Sequence, residues 1–290
     1  MMVYVWVGVG VVSVSLASIF IRLADAPPLT VAAYRMCIAT VIVGVTAGIA
    51  GRGGFAAVRR ADFLLLAGSG IFLAAHFALW ITSLSHTSVA SSVLLVTTTP
   101  VFVAIGAHFA SPDKVGRLTA LAVVVSVAGG IVIAAGDWAE GERHLLGDAL
   151  ALAGAVAVAG YLLVGRRVRR RIPTLPYITI VYAVAAVVLL AAAVGSGAPM
   201  LGLPAESYFW MAMAALLPQA VGHSLLNWAL GYLPAVNVTL MVRAEPVLAT
   251  LMAIPVLGEI PPWTVLPGGA LLLLGVYIAV RSGEARRANV

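Results

Sequence analysis

The segment PAVNVTLMVRAEPVLATLMAIPVLGE, residues 234–259, decides the fold class of this chain. It is long and apolar enough to cross a bilayer, since a membrane-spanning helix needs about 20 predominantly apolar residues. Yet Asn237, Arg243, Glu245 and Pro246 stand inside the run. Polar and charged side chains are costly in hydrocarbon and are found where they face a partner, a cavity or a solute route. The segment therefore predicts a membrane helix that contributes to a functional site.

The composition of the whole chain agrees with a membrane protein. Of its 290 residues, 62% are hydrophobic and 10% are charged, too apolar a balance for a soluble domain to bury. The net charge of +6 does not indicate a nucleic-acid partner, because the basic residues lie in short loops and lack interleaved aromatic residues. The one cysteine, Cys37, lies in an apolar run and is expected to be a buried small hydrophobe.

Apolar runs recur along the chain and predict an all-α integral membrane protein with ten transmembrane helices. Continuous runs favour helices over the short alternating strands of a membrane barrel. The predicted spans lie at roughly 3–21, 29–50, 63–84, 88–110, 118–136, 146–165, 175–194, 208–230, 235–257 and 263–280.

The distribution of lysine and arginine predicts the orientation. With a cytoplasmic N-terminus, thirteen of the seventeen basic residues fall in cytoplasmic loops or the tail. Acidic residues such as Asp25 and Glu206 collect in the opposite loops, so the bias follows the positive-inside rule. Both termini are therefore expected to be cytoplasmic. The basic residues on the cytoplasmic side are Arg52, Arg59, Arg60, Lys114, Arg117, Arg166, Arg167, Arg169, Arg170, Arg171, Arg281, Arg286 and Arg287.

An internal repeat with a constant offset of 146 residues predicts the architecture. Each half contains five predicted spans, an odd number, so the second half is expected to enter the membrane upside down. Inverted repeats of this kind are typical of secondary transporters, whose substrate site lies between the halves. The predicted units are 1–137 and 145–282, around a central cavity, with 283–290 as a cytoplasmic tail. The matched positions are Gly8 and Gly154, Pro27 and Pro173, Leu84 and Leu230, Pro100 and Pro246, Asp113 and Glu259, and Gly129 and Gly275.

A polar stripe on the eighth span gives the first candidate binding residues. Gln219, His223 and Asn227 recur at helical spacing and therefore share one face. In the third span His76 and Trp80 share a face by the same rule. These polar side chains either recognise a substrate or hold helices together by hydrogen bonds, and the spacing leaves both interpretations open.

Aromatic and hydroxyl side chains extend the candidate set. Tyr161 and Trp228 provide flat surfaces for an apolar solute, and Ser91 and Thr99 offer hydroxyl groups from the fourth span. The alternative for the aromatic residues is an interfacial belt, to which Trp80 also lies close. The alternative for the hydroxyl groups is a bond to their own helix backbone.

Three charges lie inside predicted spans, and each is expected to have a partner. Arg243 and Glu245 are separated by about 200° around a helix and cannot pair well with each other. We therefore expect Glu245 to meet Arg35 or to line the cavity, and Arg243 to snorkel or pair elsewhere. Structural pairing is the alternative to a role in transport for all three.

Two prolines and two glycines carry predictions about helix shape and packing. Pro100 and Pro246 each remove a backbone hydrogen bond and are expected to kink the fourth and ninth spans, either as gates or as ordinary packing kinks. Gly44 and Gly48 form a small-xxx-small pattern, which predicts a close helix approach.

The fourth and ninth spans, each with a central proline and an acid at its end, resemble the EamA domain, two tandem copies of which define the drug/metabolite transporter superfamily. Pro28 with Arg35, and Gly147 with Asp148, add to the resemblance. In the first half Ser111-Pro112-Asp113 stands where the pattern has Gly-Glu. The branch that it resembles is the aromatic amino-acid exporters of the YddG type. The resemblance implies a ten-helix basket in the inner membrane of a bacterium.

These observations predict a secondary transporter that exports neutral or aromatic amino acids or related small metabolites by alternating access. Alternative substrates are a nucleoside, a cofactor precursor or a cationic drug. A passive channel and an intramembrane enzyme are alternatives from other classes. Metalloprotease, P-loop and nucleophile-elbow motifs are absent, so we expect no enzyme activity, cofactor or metal. The expected partners are a small-molecule substrate and membrane lipid, with protons as a candidate coupling ion.

Overall fold

The computed structural model describes residues 2–109, 117–138, 142–169, 171–229, 242 and 244–288, and every regular element in these residues is helical. Two short 3₁₀ helices span Arg52–Ala57 and Arg60–Asp62. The helices are α1 (Met2–Ser15), α2 (Ala17–Leu23), α3 (Pro28–Ile49), α4 (Phe63–Ser83), α5 (Val89–Val96), α6 (Thr99–Phe109), α7 (Arg117–Trp138), α8 (Glu142–Val168), α9 (Thr174–Gly195), α10 (Ala205–Ala214), the π-helical segment Ala215–His223, α11 (Ser224–Ala229), α12 (Ala244–Leu257) and α13 (Val265–Ala288).

The all-helical prediction is confirmed for these residues. Within them, six helical stretches are long and apolar enough to cross a membrane: Val5–Leu23, Pro28–Ile49, Arg60–Ser83, His144–Gly165, Thr174–Gly195 and Ala205–Ala229. They coincide with the first, second, third, sixth, seventh and eighth predicted spans. Shorter apolar helices at Val89–Val103, Ala120–Ile133, Ala244–Leu257 and Val265–Gly275 lie within the other four.

The helix that contains Pro100 is interrupted shortly before the proline. The fourth span divides into α5 and α6 at Thr97 and Thr98, immediately before Pro100. A proline is accommodated in the first turn of a helix because the amide hydrogens of that turn have no intrahelical acceptor. Pro246 lies near the start of the described part of α12; Val242 is also helical, and residue 243 lies outside the described residues.

The eighth span differs from the regular α-helix that the polar stripe predicts. Residues 215–223 are π-helical, with Pro218 inside the segment. Proline has no amide hydrogen and its ring clashes with the carbonyl group one turn earlier, so the α-helical ladder is disturbed around it. Single π turns inside helices are often found at functional sites. Gln219 and His223 both belong to this segment.

The long helices pack in pairs that join the two halves of the chain. The helix α7 packs along α13, α3 along α9, α4 along α8, and α1 along the π-helical segment. In the first of these pairs, Gly136 lies beside Thr264 and Gly275 lies beside Ala122, so the two helices run antiparallel.

Small residues at the α7–α13 contact have equivalent partners in the two halves. A methyl carbon placed on Gly129 would lie 2.7 Å from the carbonyl oxygen of Gly268, and one placed on Gly275 would lie 2.8 Å from that of Ala122. Adding 146 to Gly129 gives Gly275, and subtracting 146 from Gly268 gives Ala122. The two close approaches are therefore the same contact seen from each half.

The prediction of a close approach at Gly44 and Gly48 is wrong for the described part of the protein. A methyl carbon on either glycine would have no described protein atom within 4 Å. Both residues are near the end of α3, on a stretch where Val41, Val45 and Ile49 are exposed. The pattern small-xxx-small permits close packing but does not specify which helix supplies a partner.

Candidate functional site

Arg35 is the centre of a polar cluster between the two halves of the chain. Its side chain is fully buried about two turns into α3, among apolar residues. The guanidinium group donates two hydrogen bonds to the amide oxygen of Gln219, from Nε at 3.1 Å and from Nη2 at 2.8 Å. Gln219 is itself 1% exposed. A buried cation in hydrocarbon is thus held by a neutral amide, through two charge-assisted hydrogen bonds.

Aromatic rings surround this guanidinium group. Its central carbon lies 4.4 Å from the ring centroid of Phe77 and 5.7 Å from that of Trp80. Cation–π contacts at these distances stabilise an arginine by about 0.5–2 kcal/mol, more when water is excluded. Trp80 is 4% exposed and belongs to this cluster rather than to an interfacial belt.

The two histidines named from the sequence lie beside the same rings. His76 stacks on Trp80 with an interplanar angle of 5°, and the ring of His223 meets that of Phe77 edge-on at 6.2 Å. The Nδ1 atom of His76 donates to the carbonyl oxygen of Gly154 at 3.0 Å, which fixes the ring on α8. Phe77 and His223 are 146 residues apart, so equivalent positions of the two halves face each other here.

Asn227 and Tyr161 belong to a second polar cluster. The amide nitrogen of Asn227 donates to the carbonyl oxygen of His223 at 2.8 Å, and its side chain also reaches Tyr161. Tyr161 stacks on Tyr177, whose hydroxyl group is 2.8 Å from that of Ser69. The polar stripe of the eighth span is thus shared between two clusters, with Gln219 and His223 in the first and Asn227 in the second.

Three further candidates from the sequence lie away from Arg35. Trp228 packs with Val7 and Val11 of α1. Ser91 bonds to Ser88, the residue that caps the N-terminus of α5. Thr99 donates to the carbonyl oxygen of Val96 at 2.8 Å, the local backbone bond that is common for threonine in helices.

Among the intramembrane charges, Arg35 meets Gln219 rather than a carboxylate. Glu245 is half-buried at the start of α12 and lies within electrostatic range of Arg35, without a hydrogen bond between them in the described residues. Arg243 and Asn237 lie outside the described residues, so the predictions for these two side chains stay predictions. Glu245 therefore lies near Arg35, but the two side chains do not form a direct ion pair in the described residues.

An ion pair closes one end of the bundle. Arg22, at the end of α2, donates to Glu259 at 3.3 Å and to the carbonyl oxygen of Thr87 at 3.1 Å. Glu259 also accepts the backbone N–H of Val89, in the first turn of α5. Thr87 in turn donates to Asp148 of α8 at 3.0 Å. The loop-charge pattern predicts that this end is extracytoplasmic.

Two cavities lie at this same end. The larger, of about 550 Å³, is lined by Arg22, Ser88, His86, His144, Glu259 and Pro262, among others. The smaller, of about 230 Å³, lies on the other side of Arg22, next to Asp25. At the opposite end, Arg171 donates to Asp62, which also accepts the backbone N–H of Arg59 at 2.9 Å. Each end of the bundle is therefore held by an arginine–carboxylate pair.

Two residues of the Arg35 cluster, Phe77 and Tyr182, are missing from the sequence prediction. Phe77 could have been found, because the offset of 146 matches it to His223. Tyr182, on α9, has its hydroxyl group beside the side chains of Gln219 and Ser224. No pattern in the sequence links α9 to this site, since Tyr182 stands in an uninterrupted apolar run.

In the part of the chain that the structure describes, no group of three potential metal ligands is found.

Comparisons with known proteins agree with the helical architecture. A sequence model of the EamA-like transporter family matches residues 1–135 and again residues 145–281. A relative from Clostridium kluyveri, described as an uncharacterized transporter, is 24% identical over 207 residues, which are 70% of this chain and 67% of the relative. One solved crystal structure superposes with a TM-score of 0.66 at 19% identity and covers 96% of both chains, a likeness of fold alone.

Proposed function

The chain belongs to the EamA-like transporter family, and from this premise we propose that it exports neutral and aromatic amino acids, or related small metabolites, by alternating access. Members of this family are drug/metabolite transporters rather than enzymes, and the multiple apolar helices make this a multi-pass membrane protein. Its substrate is therefore a small molecule that crosses a membrane. The identity of that molecule is the subject of the proposal.

We propose ten membrane helices in two inverted repeats, residues 1–137 and 145–282, with 283–290 as a tail. The family match to two segments of the chain supports this division. The equivalent contacts of Gly129 and Gly275 support a two-fold relation between the segments, and the antiparallel course of α7 and α13 supports its inversion. Cytoplasmic termini and a bacterial inner membrane complete the proposal, on the basis of the loop charges.

The observation that carries the substrate class is the Arg35–Gln219 pair inside a wall of aromatic rings. It combines a cation with flat apolar surfaces, and small-molecule sites in proteins commonly combine a few polar groups with such a lining. Its residues come from α3 and α4 of the first repeat and from the π-helical segment of the second. A site between the repeats is where alternating access requires the solute to bind. This lining favours the aromatic amino acids carried by the YddG-type exporters.

The direct test is uptake by proteoliposomes that contain the purified protein, challenged with a panel of labelled amino acids. We expect saturable uptake of neutral and aromatic members and counterflow when unlabelled substrate is preloaded. Flux without saturation or counterflow would indicate a channel, and a chemically changed product would indicate an enzyme. An imposed pH gradient in the same vesicles tests protons as the proposed coupling ion.

Variants of the eighth span test whether the polar residues recognise substrate or hold helices together. We expect Gln219→Ala and His223→Ala to lower uptake by about tenfold or more, since each removes a group beside Arg35. Asn227→Ala is the matched control from the same span, because Asn227 lies in the other cluster. Equal losses of uptake and of thermal stability in all three variants would assign the whole stripe to helix packing.

A further inference from the structure

Four polar atoms in the Arg35 cluster are buried without a hydrogen-bond partner in the described residues. They are Nη1 of Arg35, Nε1 of Trp80, the hydroxyl oxygen of Tyr182 and Oγ of Ser224. The hydroxyl group of Tyr182 lies beside that of Ser224 and beside Gln219, so the two nitrogens are the donors furthest from a protein partner. The arginine and tryptophan nitrogens can only donate, and the two hydroxyl groups can donate by rotation. An unpaired polar group in a buried site is costly, so such groups are rare unless a ligand uses them. The set is rich in donors around one fixed cation.

A donor-rich set around a guanidinium group fits a carboxylate. Arginine presents its N–H groups in a planar fork that matches the two oxygens of a carboxylate. Nε and Nη2 are engaged by Gln219, whose amide oxygen is neutral and leaves the positive charge of Arg35 without an anion at hydrogen-bond distance in the described residues. A cationic ligand would face this charge directly and is disfavoured by it.

The nearest carboxylate, that of Glu245, faces the protein interior from α12. The buried residues of this helix, Pro246, Ala249 and Ala253, lie on one side, and the exposed Val247, Leu251 and Ile254 lie on the other; Val256, near the end of the helix, is exposed on the buried side. At 100° per residue, Glu245 is about 40° from Ala249 and on the far side from Val247, Leu251 and Ile254. It is half-buried and makes no hydrogen bond or ion pair with the described residues.

Arg35 and Glu245 therefore present opposite charges towards a common region without neutralising each other. Each is within electrostatic range of the other, yet Arg35 donates its hydrogen bonds to the amide oxygen of Gln219. Between two such poles a zwitterion makes both missing ion pairs at once, which a simple anion or a simple cation does not. The rings of His76, Phe77 and Trp80 provide an apolar surface beside the Arg35 pole.

We infer that Arg35 binds the α-carboxylate and Glu245 the α-ammonium group of one amino-acid substrate, whose side chain packs on the rings of His76, Phe77 and Trp80. This inference rests on the proposed function, because it names the recognition chemistry of the site that the solute crosses. Tyr182 and Trp80 supply further donors to the carboxylate. A side chain packed on rings allows variation in the solute, whereas the two charged groups are required.

Three probes that differ by one charged group test the inference. They are phenylalanine, 3-phenylpropionate, which lacks the ammonium group, and phenethylamine, which lacks the carboxylate. We measure the thermal stabilisation of the detergent-purified protein by each probe, and the competition of each with labelled phenylalanine for uptake by proteoliposomes. The expected result is that phenylalanine binds at least about 10-fold more tightly than either analogue, since a charge-assisted hydrogen bond is lost with each missing group.

Two neutral substitutions test which charged group of the substrate each residue binds. In Glu245→Gln we expect phenylalanine and 3-phenylpropionate to bind about equally, and in Arg35→Gln we expect phenylalanine to lose its advantage over phenethylamine. Arg22→Gln is the matched control, because it removes the same charge at the end of the bundle and leaves both preferences unchanged. Arg35→Lys keeps the charge and is used if Arg35→Gln does not fold; it is expected to retain the preference over phenethylamine.

The outcomes separate the inference from the proposed function. Amino-acid uptake with the same analogue preferences in wild type, Glu245→Gln and Arg35→Gln would overturn the inference and leave the function standing. Charge-dependent binding of phenylalanine to a protein that carries no amino acid in vesicles would overturn the function and support the binding site. Equal binding of all three probes to the wild type would overturn the two-pole site outright.

Discussion

Two arginines of this protein, Arg22 and Arg35, meet different partners. Arg22 lies at the end of a helix, is about one-third exposed, and pairs with the carboxylate of Glu259. Arg35 lies about two turns inside a span, is fully buried, and donates to the neutral amide of Gln219. The cost of a charge is greater inside the span than at its end, yet the anion is supplied at the end. The difference indicates that Arg22 ties helices together, whereas Arg35 keeps its charge available to a solute.

The largest effect is expected when the buried charge of Arg35 is removed. Arg35→Ala removes the proposed binding group, and we predict that amino-acid uptake by proteoliposomes falls by about 100-fold or more. Thermal stability in detergent should change much less than uptake, because the cost of burying the cation partly offsets its hydrogen bonds and ring contacts. A loss of folding in parallel with uptake would make Arg35 a structural residue like Arg22.

A substitution that gives Arg35 an anion of its own sharpens the comparison. Gln219→Glu is close in shape and places a carboxylate where the amide oxygen already accepts two bonds from Arg35. We predict higher thermal stability and uptake lowered by about tenfold, since the internal carboxylate competes with that of the solute. Gln219→Met, similar in length but without an acceptor, is the control. Unchanged uptake in Gln219→Glu would show that the solute does not use this charge.

The pair at the end of the bundle is expected to contribute to stability rather than to recognition. Arg22→Gln and Glu259→Gln, combined in a double-mutant cycle, should give a coupling energy of about 1–2 kcal/mol in unfolding, between the values of exposed and buried pairs. The affinity for the substrate should stay within about twofold of wild type. A tenfold loss of affinity in both single variants, with no coupling in stability, would move the recognition site to this end.

The smallest effect concerns salt. Because Arg22 is partly exposed, raising the salt concentration to about 1 M should screen its pair and lower thermal stability by a few tenths of a kcal/mol. The Arg22→Gln variant should lack this dependence, and Arg35→Ala should retain it. The measurement is the unfolding temperature against salt concentration in the same detergent. A salt dependence that vanished in Arg35→Ala instead would contradict the burial of that cation.

Local features of the fold follow from the sequence, whereas partner choices between distant helices do not. Continuous apolar runs predict the long helices, and Pro100 predicts the interruption at Thr97 and Thr98, since both depend on residues near in sequence. Arg35 and Gln219 are 184 residues apart, and the choice of Gln219 over Glu245 depends on how α3 packs against the eighth span. The same limit explains why Gly129 and Gly268 meet closely while Gly44 does not.

The π-helical segment shows how far the geometry of a helix can be predicted from its sequence. Pro218 signals a disturbance, but a proline can produce a kink, a break or a π turn, and the surrounding helices decide among them. The offset of 146 residues is a stronger guide than any single motif, because it relates Phe77 to His223 and Gly129 to Gly275, and these residues lie at the contacts between the halves. Tyr182 has no such signal, since it stands in a continuous apolar run.

The most direct test of a solute route between the halves labels one cysteine introduced at the Arg35 cluster. The chain has a single native cysteine, which is easily replaced. In a Cys37→Ser background, Ser224→Cys places a thiol beside Tyr182 and Gln219, and sealed vesicles of known orientation are treated with a membrane-impermeant thiol reagent from either side. Alternating access predicts labelling from both sides, slowed by a saturating amount of transported amino acid. A thiol that reacts from neither side, in a variant that still transports, would contradict a route through the Arg35 cluster.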